Sequence, residues 1–186
     1  MSERKPKLYM MSGRSGSGKT TFAKKFAEEH GLIYYCVDDF DKLFHGDDRV
    51  HKDEFEIWMT IFRVLHNAEV NGLDVMFDTN NPTIVDRVQL LNWFPGFECH
   101  LFYIYASPEL CRKNNASRRR VIPDEEMENI IRSVQTPLPN EDSRYAEITY
   151  LWNENNCIRE VNFWDCFDVF GDGWPEAVTK TVRVIQ

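Results

Sequence analysis

The sequence predicts an α/β fold, a parallel sheet of about five strands covered by helices on both faces. Two observations carry this expectation. Short apolar, β-rich runs alternate with stretches whose apolar residues recur at three-to-four spacing. The first strand also runs straight into a glycine-rich loop that opens a helix, the usual beginning of a strand–helix–strand unit. A chain of 186 residues, 42% hydrophobic and 28% charged, suits one domain over 1–186 with a sizeable core.

Residues 7–12 form the first expected strand, and the glycine-rich run 13–18 ends it. From Lys19 to about residue 30, Phe22, Ala23, Phe26 and Ala27 share one helical face, and Gly31 stops the helix. A second strand is expected over 32–37, running into Asp38-Asp39. Phe55, Trp58, Phe62 and Leu65 mark a helix over 53–70, closed by Asn71-Gly72. The third strand, 73–77, finishes on Asp78; Asn81 as N-cap and Pro82 at the first helical position then open a helix to about residue 93. A fourth strand is expected over 101–105, and Ser107-Pro108-Glu109 opens the next helix. Arg118, Arg119, Arg120 and Pro123 fall between two helices, as a mobile connection or lid would, and 148–152 is a candidate fifth strand. Beyond Asn153 the pattern is weak. An aromatic stretch over 161–170 is expected to pack on the core, 171–173 to turn, and 182–185 to make an edge strand.

The loop Gly13-Arg14-Ser15-Gly16-Ser17-Gly18-Lys19-Thr20 matches G-x-x-x-x-G-K-[ST] in full and lies in the strand-to-helix context this motif requires. Each position has a physical task. The glycines let backbone N–H groups approach phosphate oxygens with no Cβ in the way, and the following helix points its positive end at the same place. Lys19 supplies charge to the β and γ phosphates, and the Thr20 hydroxyl suits Mg²⁺. Nucleotide binding, with ATP or GTP, follows. No N-K-x-D guanine reader is present.

Charge and cysteines narrow the setting. A net charge of −8 argues against coating of nucleic-acid duplexes, since such proteins are usually basic. Five cysteines without a C-x-x-C pair read as buried free thiols, and the His and Cys spacing does not suggest a zinc site. With no signal peptide or membrane span, the cytoplasm is the expected location.

Small kinases need a carboxylate after the second strand and arginines in a lid. Asp38 and Asp39 stand where ligands bind in a doubly wound sheet, so one of them suits a proton acceptor for an attacking hydroxyl; a helix cap or solvated acidic loop is the alternative. Asp78 stands where an acid holds Mg²⁺ or positions substrate. The cluster Arg118-Arg119-Arg120, with Arg112 and Lys113 nearby, suits the oxygens of a transferring phosphoryl group, or else a solvated helix end.

GRSGSGKTT (13–21), VDDF (37–40), FDTNN (77–81) with Arg87 after it, ASPELCRKNNASRRRVIP (106–123) and TPLPNED (136–142) occur in an order that resembles polynucleotide-kinase-like and zeta-toxin-like P-loop kinases. The bacteriophage polynucleotide 5′-kinase domain is the most similar in pattern, over about 7–150. The resemblance implies Asp38 as general base, Lys19 and Arg118 as phosphate-contacting catalytic residues, and nucleotide contacts along 13–21 to Thr21. It implies Mg²⁺ at Thr20 and Asp78, and a substrate side formed by Asp38, Asp39, Asp78, Asn80 and Arg87. Where that bacteriophage pattern has arginines around the acidic pair, this chain has Val37 and Asp41. The implied activity is ATP- and Mg²⁺-dependent transfer of the γ-phosphoryl group to a hydroxyl, with a nucleic-acid 5′-OH as the favoured acceptor. The alternatives are a small-molecule acceptor (nucleoside, sugar or nucleotide-sugar) and an ATP-binding regulatory or toxin-like module with little turnover. Residues 153–186 form an extension of unassigned role.

Overall fold

The computed structural model describes residues 4–46 and 54–163. The elements run β1 Lys7–Gly13, α1 Lys19–His30, β2 Ile33–Cys36, α2 Val37–His45, α3 Glu54–Val70, β3 Val75–Asp78, α4 Ile84–Trp93, β4 Glu98–Ala106, α5 Pro108–Ala116, α6 Asp124–Ser133, β5 Tyr145–Glu154 and β6 Cys157–Val161. They build a six-stranded sheet in the order β2-β3-β1-β4-β5-β6. β1 to β5 pair in parallel, and β6 pairs antiparallel to β5.

The expected α/β architecture is therefore present, with one strand more than anticipated. That strand, β6, returns from β5 through Asn155 (φ 52°) and Asn156 (φ 66°), a two-residue turn with both residues left-handed. It is a short hairpin rather than a crossover, so no helical pattern announces it. Phe163 joins Tyr103, Tyr105 and Tyr150 in a buried cluster, in line with the aromatic packing expected from residue 161. The rest of that stretch, the 171–173 turn and the 182–185 strand lie outside the described residues.

The central strands β1, β3 and β4 are mostly buried on both faces because helices cover both. Leu8 and Met10 of β1 point into a core shared with Ile57, Ile61 and Leu65 of α3 and Leu90 and Leu91 of α4. Met11, one residue on, points into the opposite layer with Ala23 and Ala27 of α1. Leu65 is fully buried in the first layer, and such a side chain contributes roughly 1.5–3 kcal/mol through burial. A third apolar cluster joins α5 and α6 through Leu110, Cys111, Met127 and Ile131.

Two of the boundaries that differ from the sequence reading bear on the site. The second strand stops at Cys36, and Asp38 and Asp39 occupy the first turn of α2. The helix after β3 starts later than expected. Its N-cap is Thr83, which forms a reciprocal capping box with Asp86. Asn81 instead takes a left-handed conformation (φ 40°) and is buried. Its Nδ2 donates to Met11 O at 3.0 Å, and its carbonyl accepts from Ser12 Oγ at 2.8 Å. The residue is a brace between β1 and the loop after β3, a use of asparagine that looks like an N-cap in sequence. Among the described residues, no helix is long and apolar enough to cross a membrane.

Candidate active site

The carboxyl ends of β1, β2 and β3 open into one cleft of about 880 Å³. Its floor is the phosphate loop between β1 and α1. Gly16 has φ +81°, and a Cβ there would lie 2.5 Å from Cys111 O; Gly13 has φ +137°, with Ile104 O 2.4 Å from its virtual Cβ. Both positions need glycine for conformation and for space. The loop is held from below: Asn114 Nδ2 donates to Gly16 O and Asn153 Nδ2 to Ser17 O, each at 2.8 Å. Ser17 Oγ is buried with no hydrogen-bond partner.

Lys19 Nζ donates to the carbonyls of Gly13 and Arg14, both at 2.9 Å, which curls the loop around the ammonium. Burial pushes this lysine down to about 8; the Asp78 carboxylate opposes the shift and the Arg118 guanidinium adds to it. Thr20 and Thr21 line the cleft at the start of α1. The side chain of Arg14 does not join them. It donates to Ile131 O at 3.3 Å and to Ala106 O at 3.2 Å and lies over the Tyr105 ring, so it fastens the loop to α6 and β4.

Asp78 ends β3 inside the cleft, 4% exposed, and accepts a hydrogen bond from Tyr34 Oη at 2.9 Å. Burial and the Asp78 charge push the Tyr34 hydroxyl above its ordinary range. Burial likewise pushes the Cys36 thiol up to about 12, so it is not a nucleophile. The oxygens of Thr20 and Asp78 border the same space, and hard oxygen donors of this kind suit Mg²⁺ that is shared with phosphates.

Asp38 stands at the cleft mouth in the first turn of α2. Desolvation raises its carboxyl above the usual range; Arg120 and Arg118 pull it back, while Asp78 and Asp41 push it further up. The structure thus gathers Asp38, Asp78, Lys19, Arg118 and Arg120 around one space. Asp41 faces the same cleft one turn after Asp38 and is 3% exposed, a placement that helical spacing from Asp38 could have signalled.

Two expected substrate contacts are corrected. Asp39 is exposed and lies outside the cleft lining, because consecutive helical residues point about 100° apart. Arg87 is fully buried and binds protein, not the cleft. Its Nε donates to Glu141 Oε1 at 2.6 Å, its Nη2 pairs with the other Glu141 oxygen, and its Nη1 donates to Gln135 O at 3.0 Å and to the carbonyls of Asn81 and Pro82. Asn80 lines the cleft.

The lid is α5, the 117–123 connection and α6. Ser107 caps α5 through a bond to Leu110 N. Asn115 clamps the connection by donating to Ile122 O at 2.8 Å and accepting from Ile122 N at 3.0 Å. Arg118 and Arg120 line the cleft, while Arg119 is exposed outside it. Arg112 is turned away and pairs with Glu128 on the outer surface. The asparagines at 114, 115 and 153 carry much of this scaffold, and no sequence motif singles them out.

Comparison with known proteins agrees with this geometry. No curated relative matches the sequence. Among solved structures, a protein of the PezAT chromosomal toxin–antitoxin system of Streptococcus pneumoniae is similar at 19% identity, with 99% of this chain and 86% of that one covered and a TM-score of 0.66. A chain of the Pnkp1/Rnl/Hen1 RNA repair complex is similar at 22% identity and a TM-score of 0.62, over 70% of this chain and 44% of that one. A gluconokinase from Sinorhizobium meliloti 1021 is similar at 17% identity and a TM-score of 0.54, over 80% and 84% of the two chains. These likenesses establish a shared fold. A family model described as an AAA domain matches residues 8–137, from β1 through the lid, and the chain belongs to that family.

Proposed function

We propose that the protein is an ATP-dependent kinase that transfers the γ-phosphoryl group to a substrate hydroxyl. The observation that carries this reading is the placement of Asp38 opposite Arg118 and Arg120 in a cleft whose floor is the phosphate loop. A carboxylate and guanidinium groups that line one cleft with a phosphate loop suit proton and phosphoryl transfer, and nucleotide binding alone does not call for the carboxylate.

In this reading the backbone N–H groups of 13–20 and the Lys19 ammonium bind the β and γ phosphates. Thr20 and Asp78 would hold Mg²⁺, which would supply charge neutralisation for the phosphates. Asp38 accepts the proton of the acceptor hydroxyl and orients its oxygen in line with the γ-phosphorus. Arg118 and Arg120 neutralise charge on the equatorial oxygens as the phosphoryl group moves. Asn80 and Asp41 border the acceptor. Arg87 and Arg14 act at a distance, by holding the loop after β3 and the lid.

The nucleic-acid 5′-OH suggested by the sequence pattern and the small-molecule hydroxyl share all of these steps. They differ in the charge of the acceptor. The test of the common reading uses γ-labelled ATP and a panel of 5′-OH DNA, 5′-OH RNA, nucleosides and sugars, with wild type and Asp38→Asn. The expected result is transfer by wild type to at least one acceptor, and a fall of about 10²–10⁴-fold in the variant with ATP affinity retained. Normal transfer by Asp38→Asn overturns the base assignment. Label released only as free phosphate by wild type across the panel overturns the kinase reading.

A further inference from the structure

Tyr34 stands behind the cleft and holds a residue that lines it. β2 is at the edge of the described sheet and pairs with β3 so that Tyr34 lies beside Met76, and Cys36 beside Asp78. Alternation along β3 puts Met76 and Asp78 on one face. Tyr34 shares that face, since Tyr34 and Met76 both pack into the layer of Ala23 and Ala27 of α1. The phenol therefore reaches diagonally from β2 to the carboxyl end of β3, where its Oη donates to Asp78 Oδ2 at 2.9 Å. Lys24 Nζ of α1 lies over the same ring, 5.6 Å from its centroid. Lys24 follows Thr20 by one turn, and residues four apart share a helix face. One side chain thus spans from the helix that carries Thr20 to the strand that ends on Asp78.

We propose that Tyr34 is a positioning residue for the divalent cation: it fixes the Asp78 carboxylate relative to Thr20 and so favours Mg²⁺ over Ca²⁺. This rests on the reading of Thr20 and Asp78 as the residues that would hold Mg²⁺. The torsion that turns an aspartate carboxylate is broad and soft. A donor fixed on one oxygen narrows it, and sets where the other oxygen can stand. Asp78 is 4% exposed, so this task falls to protein more than to bulk water. Partners of this kind, which touch a metal-holding group and not the metal, change metal affinity by about 10–100-fold when removed. The preference follows from the cations. Mg²⁺ is small and demands near-ideal octahedral geometry, whereas Ca²⁺ accepts more oxygens in looser arrangements. A braced pair of oxygen donors suits the first, and a loosened pair penalises it more than the second.

A donor to a buried carboxylate also has a plainer use, which is to satisfy it. The two uses separate by experiment. Satisfying the carboxylate matters with or without a cation, whereas orienting its oxygen for a cation matters only when one is bound. Tyr34→Phe separates them well, because it removes a single oxygen and leaves the ring packed against the α1 layer under Lys24.

The experiment uses the full chain as wild type, Tyr34→Phe and Asp78→Asn. Calorimetry measures the Kd of the β,γ-imido analogue of ATP in EDTA, in Mg²⁺ and in Ca²⁺, and the quantity compared is the tightening that each cation brings. No turnover is needed. Tyr34→Phe should bind the analogue in EDTA within about twofold of wild type, lose about tenfold of the Mg²⁺ tightening, and lose less of the Ca²⁺ tightening. Asp78→Asn should lose at least as much of the Mg²⁺ tightening. In the transfer assay, Tyr34→Phe should need about tenfold more Mg²⁺ for half-maximal rate and regain kcat at saturating Mg²⁺. Full Mg²⁺ tightening in Tyr34→Phe overturns the proposal. So does an equal weakening in EDTA and in Mg²⁺, which would make Tyr34 a support of the loop. Asp78→Asn with wild-type tightening, or a wild type that gains nothing from Mg²⁺, overturns it as well. Equal losses with Mg²⁺ and Ca²⁺ overturn the selectivity. Tightening that depends on both Tyr34 and Asp78, with label passed to none of the acceptors, supports the proposal and counts against the kinase reading.

Discussion

The guanidinium of Arg87 and the carboxylate of Glu141 form a two-point ion pair in the interior, with side-chain exposures of 1% and 2%. The pair ties α4 to the 134–144 segment that follows the lid, and the remaining Arg87 donor reaches Asn81, Pro82 and Gln135. Through these bonds it fixes the loop that presents Asn80 to the cleft. Removing one partner leaves the other charged and buried, which costs about 3–5 kcal/mol. Arg87→Met is therefore expected to lower the urea midpoint strongly. Arg87→Met with Glu141→Leu should recover part of that loss. If Arg87→Met alone unfolds like wild type, the pair is not a structural brace.

Asp38 carries a prediction about pH. Its carboxyl sits above the usual range because desolvation and the Asp78 and Asp41 charges outweigh Arg118 and Arg120. The ionised form is the proton acceptor, so kcat/KM should fall as pH drops through a value above that of a free aspartate, about 4. Arg120→Ala removes a charge that favours the carboxylate, and the acid limb should move to higher pH. A limb that stays in place would exclude Asp38 as the titrating group. Stability responds with the opposite sense. A raised folded-state pKa means that the native chain binds more protons through that window, so stability falls as pH rises across it. Asp38→Asn should therefore be more stable than wild type at pH 7, with the advantage fading below the ordinary aspartate range.

Lys19 gives a second proton-linked signal. In the free loop its ammonium titrates near 8, lowered chiefly by burial. Phosphates bound beside it favour the charged form and raise that value. ATP binding at pH 8.5–9 should then take up protons, and binding near pH 6.5 should not. Calorimetry in two buffers of different ionisation enthalpy measures this directly. Lys19→Ala should lose both the uptake and most of the affinity. Proton uptake that is the same at both pH values would count against the lysine as its source.

How much of this was legible in the sequence depends on how local each cause is. The phosphate loop, α1 and Asp78 depend on short-range pattern: glycines before a helix, or an acid ending an apolar strand. Their places in the sequence pattern and in the structure nearly coincide. Ser107 as an N-cap is equally local and was also legible. Arg87 was legible as a residue but not as a role, because its partner Glu141 is 54 residues away. Asn81 looked like an N-cap, since sequence does not reveal that a side chain turns back to the Met11 carbonyl. Asp39 and Asp38 are adjacent in sequence, and the early start of α2 alone decides which faces the cleft. The edge-to-face contact of Trp58 and Trp93 at the cleft stayed hidden for a similar reason. Trp58 and Trp93 lie on different helices, and each alone reads as core.

Asn153 tests a role that sequence did not suggest. It is 2% exposed at the end of β5, and its Nδ2 donates to Ser17 O at 2.8 Å, holding the phosphate loop in its curl. A Cβ at Gly18 would come within 2.8 Å of that same nitrogen, so the amide is packed tightly under the loop. Asn153→Leu removes the donor and leaves the Ser17 carbonyl buried and unpaired, at a cost of about 1–3 kcal/mol. The strain falls on the nucleotide side alone. KM for ATP should rise several-fold while KM for the acceptor changes little, because the bond that is lost is made to the phosphate loop itself. Asn153→Ser, which restores a short donor but not its reach, should recover the fold and only part of the ATP affinity. A variant that shifts both KM values equally would mean that Asn153 supports the whole cleft and not the loop in particular.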